Sequence, residues 1–258
     1  EQRVQHVALA KQADLVMVAP ASANVIGKIA YGIADDMLTT TVMACPCKKM
    51  ISPAMNHNMY HNPIVQDNLQ KLERFGYEII APDRGMLANG DDGDGRMPEP
   101  EVLFEYILRE LAFEKDLAGK NVLVTAGATM EAIDPVRYIT NHSSGKMGCA
   151  VAKAAMQRGA KVTLVAGHME VLPPMFVDVV NVKSAADMFE AVTKLAPEQD
   201  IIVKAAAVAD YTPVAVADNK IKKSDDDMKI ELKRTQDILG YLGQHKRDGQ
   251  VICGFSMD

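Results

Sequence analysis

Four short segments combine small residues with polar ones at places where predicted strands end or a predicted helix begins. Pro20–Asn24 and Pro53–Tyr60 each follow an apolar run, and so does Ala205–Tyr211 further along the chain. The fourth segment, Asn141–Gly148, opens a predicted helix. In doubly wound sheets, ligands bind at the carboxyl ends of the strands, and phosphates favour helix N-termini. These segments are therefore the candidate ligand-binding sites.

The first two segments suit an organic ring with a carboxylate beside it. Small residues around Ser22 and Asn24 allow a ring or a phosphate to approach closely, and both side chains supply hydrogen bonds. Asn56 can hold a carboxylate or an amide, while Met55 and Met59 can line an apolar slot. Alternatively, the first segment is simply a helix cap and the second a loop packed on the core.

The other two segments suit a phosphorylated ligand. Serine hydroxyls and free backbone N–H groups before the helix at Gly145 form an anion cradle, although the pattern matches neither a P-loop nor a dinucleotide fingerprint. His142 is either a base or a loop hydrogen-bonding residue. Asp210 can bind a ligand directly or through a metal, and Lys220 can stabilise charge on a transferring phosphoryl group. The alternatives are a capped helix and a solvated basic turn, and we favour the basic turn for Lys222 and Lys223.

The elements that position these segments alternate between strand and helix, which predicts two consecutive doubly wound, Rossmann-like α/β domains. The linker at 114–120 separates domain 1–114 from domain 115–258. Residues 83–100 are rich in glycine and acid and predict a solvated loop or a functional flap. The predicted strands are 15–19, 48–52, 77–81, 121–125, 161–166, 201–205 and 251–255, with a hairpin from 221–223 to 231–232; the predicted helices are 4–13, 24–34, 63–75, 101–113, 145–158, 185–195 and 236–244.

Composition excludes several classes of protein. The 258 residues are 48% hydrophobic and 24% charged, which is ordinary for a globular chain. A net charge of −6 argues against a general binder of nucleic acid or anionic membranes. Four scattered cysteines suit a reducing cytosol, so we expect a cytoplasmic protein, and no apolar run approaches the length of a membrane helix. Both ends are expected to be cut from a longer protein.

Taken together, the motifs resemble the bifunctional coenzyme A biosynthesis flavoproteins, in which phosphopantothenoylcysteine decarboxylase is fused to phosphopantothenate–cysteine ligase. Residues 1–113 resemble the later two-thirds of the decarboxylase and 117–258 the first part of the ligase. The resemblance implies a flavodoxin-like flavoprotein domain followed by a nucleotide-binding ligase domain. The motifs that carry it are Pro20–Asn24 with Gly32–Asp36, Pro53–Asn56 with Met59, Gly90–Met97, Asp134–Ile139 with Asn141–Gly148, and Ala205–Tyr211 with Lys220–Lys223.

For the first domain, the resemblance implies an FMN-dependent oxidation of the cysteinyl moiety, loss of carbon dioxide and return of the electrons to give phosphopantetheine. In the family, a cysteine on the flap reprotonates the intermediate; here Asn89 stands at that position, and an amide is not a practical proton donor. The implied FMN contacts are Ser22, Ala23, Asn24, Val25 and Ala54, and the implied substrate contacts are Asn56, Met59, Ala88 and Gly90.

For the second domain, the resemblance implies that phosphopantothenate attacks CTP to form an acyl-cytidylate, from which the cysteine amine displaces CMP. Mg²⁺ would offset the triphosphate charge. The implied catalytic residues are Asn141 and Lys220, and whether Asp210 contacts nucleotide, metal or pantothenate stays open. The implied lining of the site is Gly127, Ser143, Gly145, Gly148, Ala205, Ala206, Asp210, Lys220, Asp237, Ile238 and Phe255.

The resemblance also implies a homo-oligomer, with trimeric flavin domains and dimeric ligase domains. Two alternatives remain: a ligase whose flavin half is degenerate, because of Asn89, and a flavin- or nucleotide-binding regulatory module without turnover. A yellow protein would support an intact flavin site, and CTP-dependent release of pyrophosphate would separate a ligase from a binding module. An NAD-dependent dehydrogenase is disfavoured, because the glycine fingerprint and its partner acid are missing.

Overall fold

The structure is a computed structural model that describes residues 4–86, 90, 92–223 and 228–256. The chain divides into two compact units, Glu1–Ile107 and Leu108–Asp258. Each unit is a mixed α/β structure built on a parallel sheet. Over the described residues, none of the helices is both long enough and apolar enough to cross a membrane.

The first unit contains a three-stranded parallel sheet in the order β1-β2-β3 and a separate hairpin formed by β4 and β5. The sheet places the carboxyl ends of β1 and β2 next to each other. The elements are α1 (Gln5–Gln12), β1 (Leu15–Ala21), α2 (Ala23–Ala30), α3 (Met37–Ala44), β2 (Lys48–Pro53), α4 (His57–Tyr60), α5 (Pro63–Arg74), β3 (Glu78–Ile79), β4 (Asp83–Met86), β5 (Asp92–Arg96) and α6 (Pro100–Leu111).

Burial of apolar residues fixes this sheet against its helices. Val18 of β1 and Ile51 of β2 lie in one core cluster with Ile26 of α2 and Leu69 of α5. The strands read as short continuous apolar runs because both of their faces are covered. Helices α2 to α5 each begin at a residue whose side chain caps them. At α5, Asn62 accepts the N–H of Ile64 and a proline follows.

The second unit contains a five-stranded parallel sheet in the order β10-β9-β6-β11-β14. The chain passes from β6 outward to β9 and β10, then returns to β11 on the other side of β6, so the topological switch point lies between β6 and β11. The elements are β6 (Asn121–Ala126), β7 (Met130–Ala132), β8 (Tyr138–Thr140), α7 (Lys146–Gln157), β9 (Lys161–Ala166), β10 (Asp178–Asn181), α8 (Ala185–Leu195), β11 (Ile201–Lys204), β12 (Tyr211–Pro213), β13 (Leu232–Arg234), α9 (Ile238–Gln244) and β14 (Val251–Gly254).

Two core clusters cover the opposite faces of this sheet. Val124 and Leu164 pack with Ala152 of α7, whereas Leu123 and Ile202 pack with residues of α8 and α9. Along β6 the side chains alternate between these clusters, as the pleat of a strand requires. The doubly wound arrangement leaves the carboxyl ends of β6 and β11 as the place where a ligand can bind.

The predicted mixed α/β fold with parallel sheets is confirmed, and most predicted strands and helices are present with ends displaced by a few residues. The predicted hairpin from 221–223 to 231–232 is wrong, because Leu232–Arg234 pairs with Tyr211–Pro213 instead. The segment predicted as a loop or flap contains the antiparallel pair β4 and β5. The sequence also missed α3, the small hairpin of β7 and β8, and the edge strand β10.

Gly148→Ala is expected to destabilise the second unit by about 1–3 kcal/mol, because the added methyl overfills a packed contact. Its Cβ would lie 2.5 Å from the Cβ of Ala126 and 2.9 Å from the carbonyl oxygen of Thr125, so α7 would have to move away from β6. Urea unfolding followed by circular dichroism measures the change.

Gly243→Ala in α9 is the matched control, because a Cβ there meets no atom within 4 Å. This variant should be neutral or gain up to about 1 kcal/mol from helix propensity. Equal stability losses in the two variants would contradict the packing argument at Gly148.

Candidate functional site

In the first unit, the carboxyl ends of β1 and β2 bring two predicted ligand segments side by side. Ala21 stands in register with Pro53, and the N–H of Ala54 donates to the carbonyl of Ala21 at 3.0 Å. The segment that begins α2 therefore lies directly beside the segment that follows β2. Four of the five predicted flavin-contact residues, Ser22–Val25, are consecutive in sequence, and this backbone bond brings the fifth, Ala54, beside them.

The residues at this edge are small or polar. Ser22 and Asn24 are exposed, while Ala23 and Ala54 are half-buried. The Oγ of Ser22 accepts the N–H of Val25 at 3.4 Å, so this serine is the N-cap of α2. The cap orients the hydroxyl and the first N–H groups of the helix toward the same edge.

Asn56 occupies the N-cap of the short helix α4. Its Oδ1 accepts the N–H of Asn58 at 2.9 Å, which fixes the orientation of the side-chain amide. Met59, one turn later, has 48% of its surface exposed. Asn56 and Met59, both predicted substrate contacts, therefore belong to a single turn that begins three residues after β2.

The hairpin of β4 and β5 is attached to this same turn. The N–H of Met55 donates to the carbonyl of Gly95 at 3.0 Å, and the N–H of Asp94 donates to Nδ1 of His57 at 3.1 Å. A Cβ at Gly95 would lie only 2.1 Å from the carbonyl oxygen of Met55, so no larger residue fits. Of the predicted flap residues, Gly90 is described and exposed, with φ at +84°, whereas Ala88 and Asn89 lie outside the described residues.

In the second unit, the loops after β6 and β11 are joined by backbone hydrogen bonds at the switch point. The N–H of Ala207 donates to the carbonyl of Gly127 at 2.8 Å, and the N–H of Thr129 donates back to the carbonyl of Ala207 at 3.2 Å. The Oγ1 of buried Thr125 accepts the N–H groups of Ala205 and Ala206 at 3.2 and 3.1 Å. These bonds hold the predicted segment after β11 against the end of β6.

Asn141 reaches the same point from the segment before α7. Its Nδ2 donates to the carbonyl of Ala207 at 3.4 Å. Gly145 precedes α7 with φ at +77°, and a Cβ there would lie 2.7 Å from Cγ of Met169. At Gly127, φ is +80° and a Cβ would lie 2.4 Å from the carbonyl oxygen of His168. Both glycines are therefore required by the close approach of the segment after β9.

Three of the predicted ligase residues line one cavity of about 410 Å³: Asp210, Asp237 and Ile238. The same cavity is lined by Lys204 and Arg234, which the sequence analysis did not single out. Oδ1 of Asp237 caps α9 by accepting the N–H of Gly240 at 2.9 Å. The cavity is lined by acidic and basic side chains together, as a site for a metal-bound anion would be.

Phe255, another predicted ligase residue, lies at the end of the strand next to β11. Its N–H donates to the carbonyl of Lys204 at 3.0 Å, and its side chain is half-exposed.

A buried carboxylate anchors the loop that carries Lys220. The side chain of Asp134 is fully buried, and its Oδ2 accepts the N–H of Ile221 at 3.1 Å and Nε of Arg137 at 3.0 Å. Arg137 also donates to the carbonyl of Ile221 at 3.0 Å. The guanidinium of Arg137 and three backbone N–H groups hold the pKa of the Asp134 carboxyl well below its usual range. The backbone next to Lys220 is therefore held in place, although the Lys220 side chain itself is exposed to solvent.

A larger cavity, of about 930 Å³, borders the same carboxylate. Its walls include Asp134, Arg137, Tyr138, Lys183 and Thr212, and none of the residues predicted to bind ligand. The sequence motif contains Asp134 and Arg137, but spacing alone gave no signal that they hold the distant loop around residue 221.

Two family models match the chain and together cover most of it. The flavoprotein model matches residues 1–112, and the model of the DNA/pantothenate metabolism flavoprotein C-terminal domain matches residues 117–258. The chain belongs to the DNA/pantothenate metabolism flavoprotein family. The resemblance to the bifunctional coenzyme A biosynthesis flavoproteins is thereby confirmed.

Curated relatives of this flavoprotein chain agree with the models. The chain is 49% identical over 258 residues to the coenzyme A biosynthesis bifunctional protein of Bacillus subtilis, covering 99% of this chain and 63% of the relative. It is 44% identical to a cysteine/cysteine sulfinic acid decarboxylase from an unknown prokaryotic organism, covering 98% of this chain and 72% of the relative. The chain thus spans just under two-thirds of the length of the bifunctional relative.

Among solved structures, the C-terminal domain of a coenzyme A biosynthesis bifunctional protein is 48% identical to this flavoprotein chain. The alignment covers 53% of this chain and 63% of that structure, with a TM-score of 0.46.

Replacing Asp134 with asparagine is expected to loosen the loop at residue 221, because an amide N–H₂ in place of Oδ2 repels the N–H donors that now point at it. Hydrogen exchange at the amide of Ile221 should accelerate. Because the folded-state pKa of Asp134 is depressed, its contribution to stability is fully present above about pH 5 and is lost as the pH falls below about 4. The difference in unfolding free energy between parent and variant should therefore shrink on acidification.

Asp218→Asn is the matched control, since this carboxylate lies exposed in the same stretch of chain. It should change neither the exchange at Ile221 nor the pH dependence of stability. An unchanged Ile221 amide in the Asp134 variant would contradict the anchoring role.

Proposed function

We propose that this protein acts in coenzyme A biosynthesis, its first unit as a phosphopantothenoylcysteine decarboxylase and its second as a phosphopantothenate–cysteine ligase. The observation that carries the proposal is the 49% identity to a coenzyme A biosynthesis bifunctional protein, which runs through both units of this chain. Three of the four ligand segments follow strands of the two parallel sheets and the fourth leads into α7, and these are positions where nucleotides and cofactors bind in such folds.

The first unit fits FMN as its cofactor. A flavin ring needs small neighbours and hydrogen-bond donors. Ala23 and Ala54 are the small neighbours, and the Ser22 hydroxyl and the first N–H groups of α2 are the donors. The five residues proposed to hold FMN are Ser22, Ala23, Asn24, Val25 and Ala54. When bound, the flavin accepts and returns the electron pair of the cysteinyl moiety.

The protein's own residues would then select and enclose the substrate. The amide of Asn56, fixed by its bond to Asn58, would hold the substrate carboxylate, and Met59 would pack against the apolar part. The hairpin of β4 and β5, attached through Met55 and Gly95, would keep water from the substrate. Ala88, Asn89 and Gly90 are proposed as further substrate contacts, by the resemblance.

The second unit would bind CTP at the switch point between β6 and β11. Asn141, bonded to Ala207, and Lys220, on the loop held by Asp134, are proposed to serve the acyl-cytidylate and its conversion with cysteine. A lysine ammonium stabilises charge that develops on a transferring phosphoryl group. The residues proposed to line the nucleotide site are Gly127, Ser143, Gly145, Gly148, Ala205, Ala206, Asp210, Asp237, Ile238 and Phe255.

The cavity at Asp210 fits a Mg²⁺–nucleotide complex by the chemistry of its walls. Carboxylate oxygens of Asp210 and Asp237 are the type of ligand that Mg²⁺ prefers, and Lys204 and Arg234 can neutralise phosphate oxygens. The bound ion would offset triphosphate charge. The proposed oligomer, with trimeric flavin domains and dimeric ligase domains, rests on the resemblance, and the proposed cytoplasmic location rests on the scattered cysteines.

A second candidate function is decarboxylation of cysteine or a cysteine derivative in the first unit. The observation in its favour is the 44% identity to a cysteine/cysteine sulfinic acid decarboxylase. The two candidates share the loss of a carboxylate beside a sulfur-bearing carbon, so substrate specificity distinguishes them. Decarboxylation of free cysteine at a rate matching phosphopantothenoylcysteine would favour the second candidate.

The full-length protein is expected to purify yellow, with flavin absorbance that is retained on gel filtration, because the first unit holds FMN. With phosphopantothenate and cysteine it should release pyrophosphate faster with CTP than with ATP at equal concentration. Colorimetric detection of pyrophosphate measures this preference. A faster reaction with ATP, or a colourless protein that cannot be reconstituted with FMN, would contradict the assignment of the corresponding unit.

Lys220→Gln in the full-length protein is expected to lower ligase turnover by about 100- to 1000-fold while nucleotide binding largely survives, since a fixed charge helps most where charge develops during reaction. Lys222→Gln is the matched control on the same exposed loop and should retain turnover. Steady-state kinetics with a separate nucleotide-binding titration measures both effects. If the Lys220 variant turns over as fast as the parent, Lys220 is a solvated turn residue without a catalytic role.

Asn89 is expected to separate decarboxylation from reprotonation, because an amide cannot supply the proton that the family's flap cysteine supplies. Carbon dioxide release should proceed while the flavin stays reduced until oxygen reoxidises it, so oxidised product should accumulate over phosphopantetheine. Asn89→Cys should restore the reduced product, as mass spectrometry of the product mixture would show. If the parent makes phosphopantetheine as fast as the cysteine variant, the reductive half-reaction is intact with asparagine at this position.

A further inference from the structure

We propose that His57, His61 and Asp94 form a binding site for a divalent transition-metal ion of the zinc type. The proposal is independent of the flavin and ligase chemistry. One ring nitrogen of each histidine and one carboxylate oxygen of Asp94 lie within 4.8 Å of one another. Among the residues that the structure describes, this is the one group of three histidine, cysteine or acidic side chains placed closely enough to share an ion. None of the functions proposed above uses it.

The two histidines reach the cluster because they are four residues apart. His57 is the first residue of α4, and His61 is the C-cap of the same turn. Residues at i and i+4 lie on one face of a helix, which brings the two rings to a centroid distance of 4.4 Å. Two histidines at this spacing supply two of the ligands in many zinc sites.

The third ligand comes from the hairpin, on strand β5. Oδ2 of Asp94 lies 2.9 Å from Nε2 of His61. A Cβ at Gly93 would lie 2.9 Å from Nδ1 of His57, so the strand passes directly against the ring and brings Asp94 into reach. All three side chains are partly exposed, which leaves a path for an ion to enter and room for a water ligand.

The donor set selects the class of ion. Two imidazole nitrogens and one carboxylate oxygen suit Zn²⁺, Co²⁺ or Ni²⁺, whereas Mg²⁺ and Ca²⁺ prefer oxygen alone. Tetrahedral zinc places its ligand atoms about 3.3 Å apart. The separation of 2.9 Å between His61 and Asp94 would therefore widen by a few tenths of an ångström as the ion takes the place of the hydrogen bond.

Binding would also break the hydrogen bond from the N–H of Asp94 to Nδ1 of His57. A metal on Nδ1 uses the lone pair that now accepts this N–H, and a metal on Nε2 leaves the ring proton on Nδ1, facing the same N–H. In either arrangement, coordination by the ion replaces the hydrogen bond that now joins α4 to β5. The turn with Asn56 and the hairpin would then be joined through the metal.

Isothermal titration of the chelator-treated protein with Zn²⁺ tests the proposal. We expect saturable binding of one ion per chain by the cluster, with affinity weakened at least tenfold in His61→Gln and in Asp94→Asn, since even an outer-shell partner is worth 10- to 100-fold. His245→Gln, at the C-cap of α9 in the second unit, is the matched control and should bind like the parent. Equal affinity in parent, His61→Gln and Asp94→Asn would overturn the site, as would the lack of saturable binding in the parent.

Co²⁺ distinguishes this site from the cysteines Cys45 and Cys47. Ligation by imidazole and carboxylate should give weak visible bands, lost in His61→Gln, without the strong near-ultraviolet charge transfer of a thiolate. In nuclear magnetic resonance spectra the amide of Asp94 should shift on addition of Zn²⁺ in the parent and stay in place in His61→Gln. A thiolate band that disappears in a Cys45→Ser/Cys47→Ser variant, with an unmoved Asp94 amide, would place the ion at the cysteines and refute the proposal. Thermal unfolding of each metal-free variant, expected to match the parent, confirms that the exposed substitutions leave the fold intact.

Discussion

Backbone hydrogen bonds between strand-end loops hold both candidate sites together. In the first unit the carbonyl of Ala21 accepts the N–H of Ala54, and in the second the carbonyl of Gly127 accepts the N–H of Ala207. Both bonds continue a parallel pairing past the end of a strand, to the first residue after β2 and to the third residue after β11, so the connecting loops leave the sheet side by side. Polar side chains that follow different strands can converge on one ligand only because their backbones are fixed in this way.

The elements whose sequence carries its own signal could be predicted. Strands such as β6 are continuous apolar runs, and helices such as α8 begin at a serine with an acid three residues later, which forms a capping box. Helix α3 was missed because its apolar residues do not follow one face. The hairpin involving Leu232 was mispaired because its partner strand begins at Tyr211, and no local turn signal specifies so distant a pairing.

The same distinction applies to the sites. The segments after β1, β2 and β11 were identified because strand ends in a doubly wound sheet are binding positions whatever their detailed structure. The contact of Asp134 with Ile221 spans 87 positions of sequence, and Lys204 joins Asp237 at a cavity only once β11 and α9 are folded. These groupings are products of tertiary packing, so no spacing rule could have supplied them.

The attachment of the β4–β5 hairpin also determines where the chain can vary. At its base, Gly93 and Gly95 face His57 and the carbonyl of Met55 at distances that exclude any side chain. Towards its turn, a Cβ at Gly90 meets no atom within 4 Å, so the constraint there is one of backbone conformation rather than space. A change of residue at the base therefore requires the contact between α4 and the hairpin to open, whereas a change at Gly90 strains only the local backbone and leaves that contact in place.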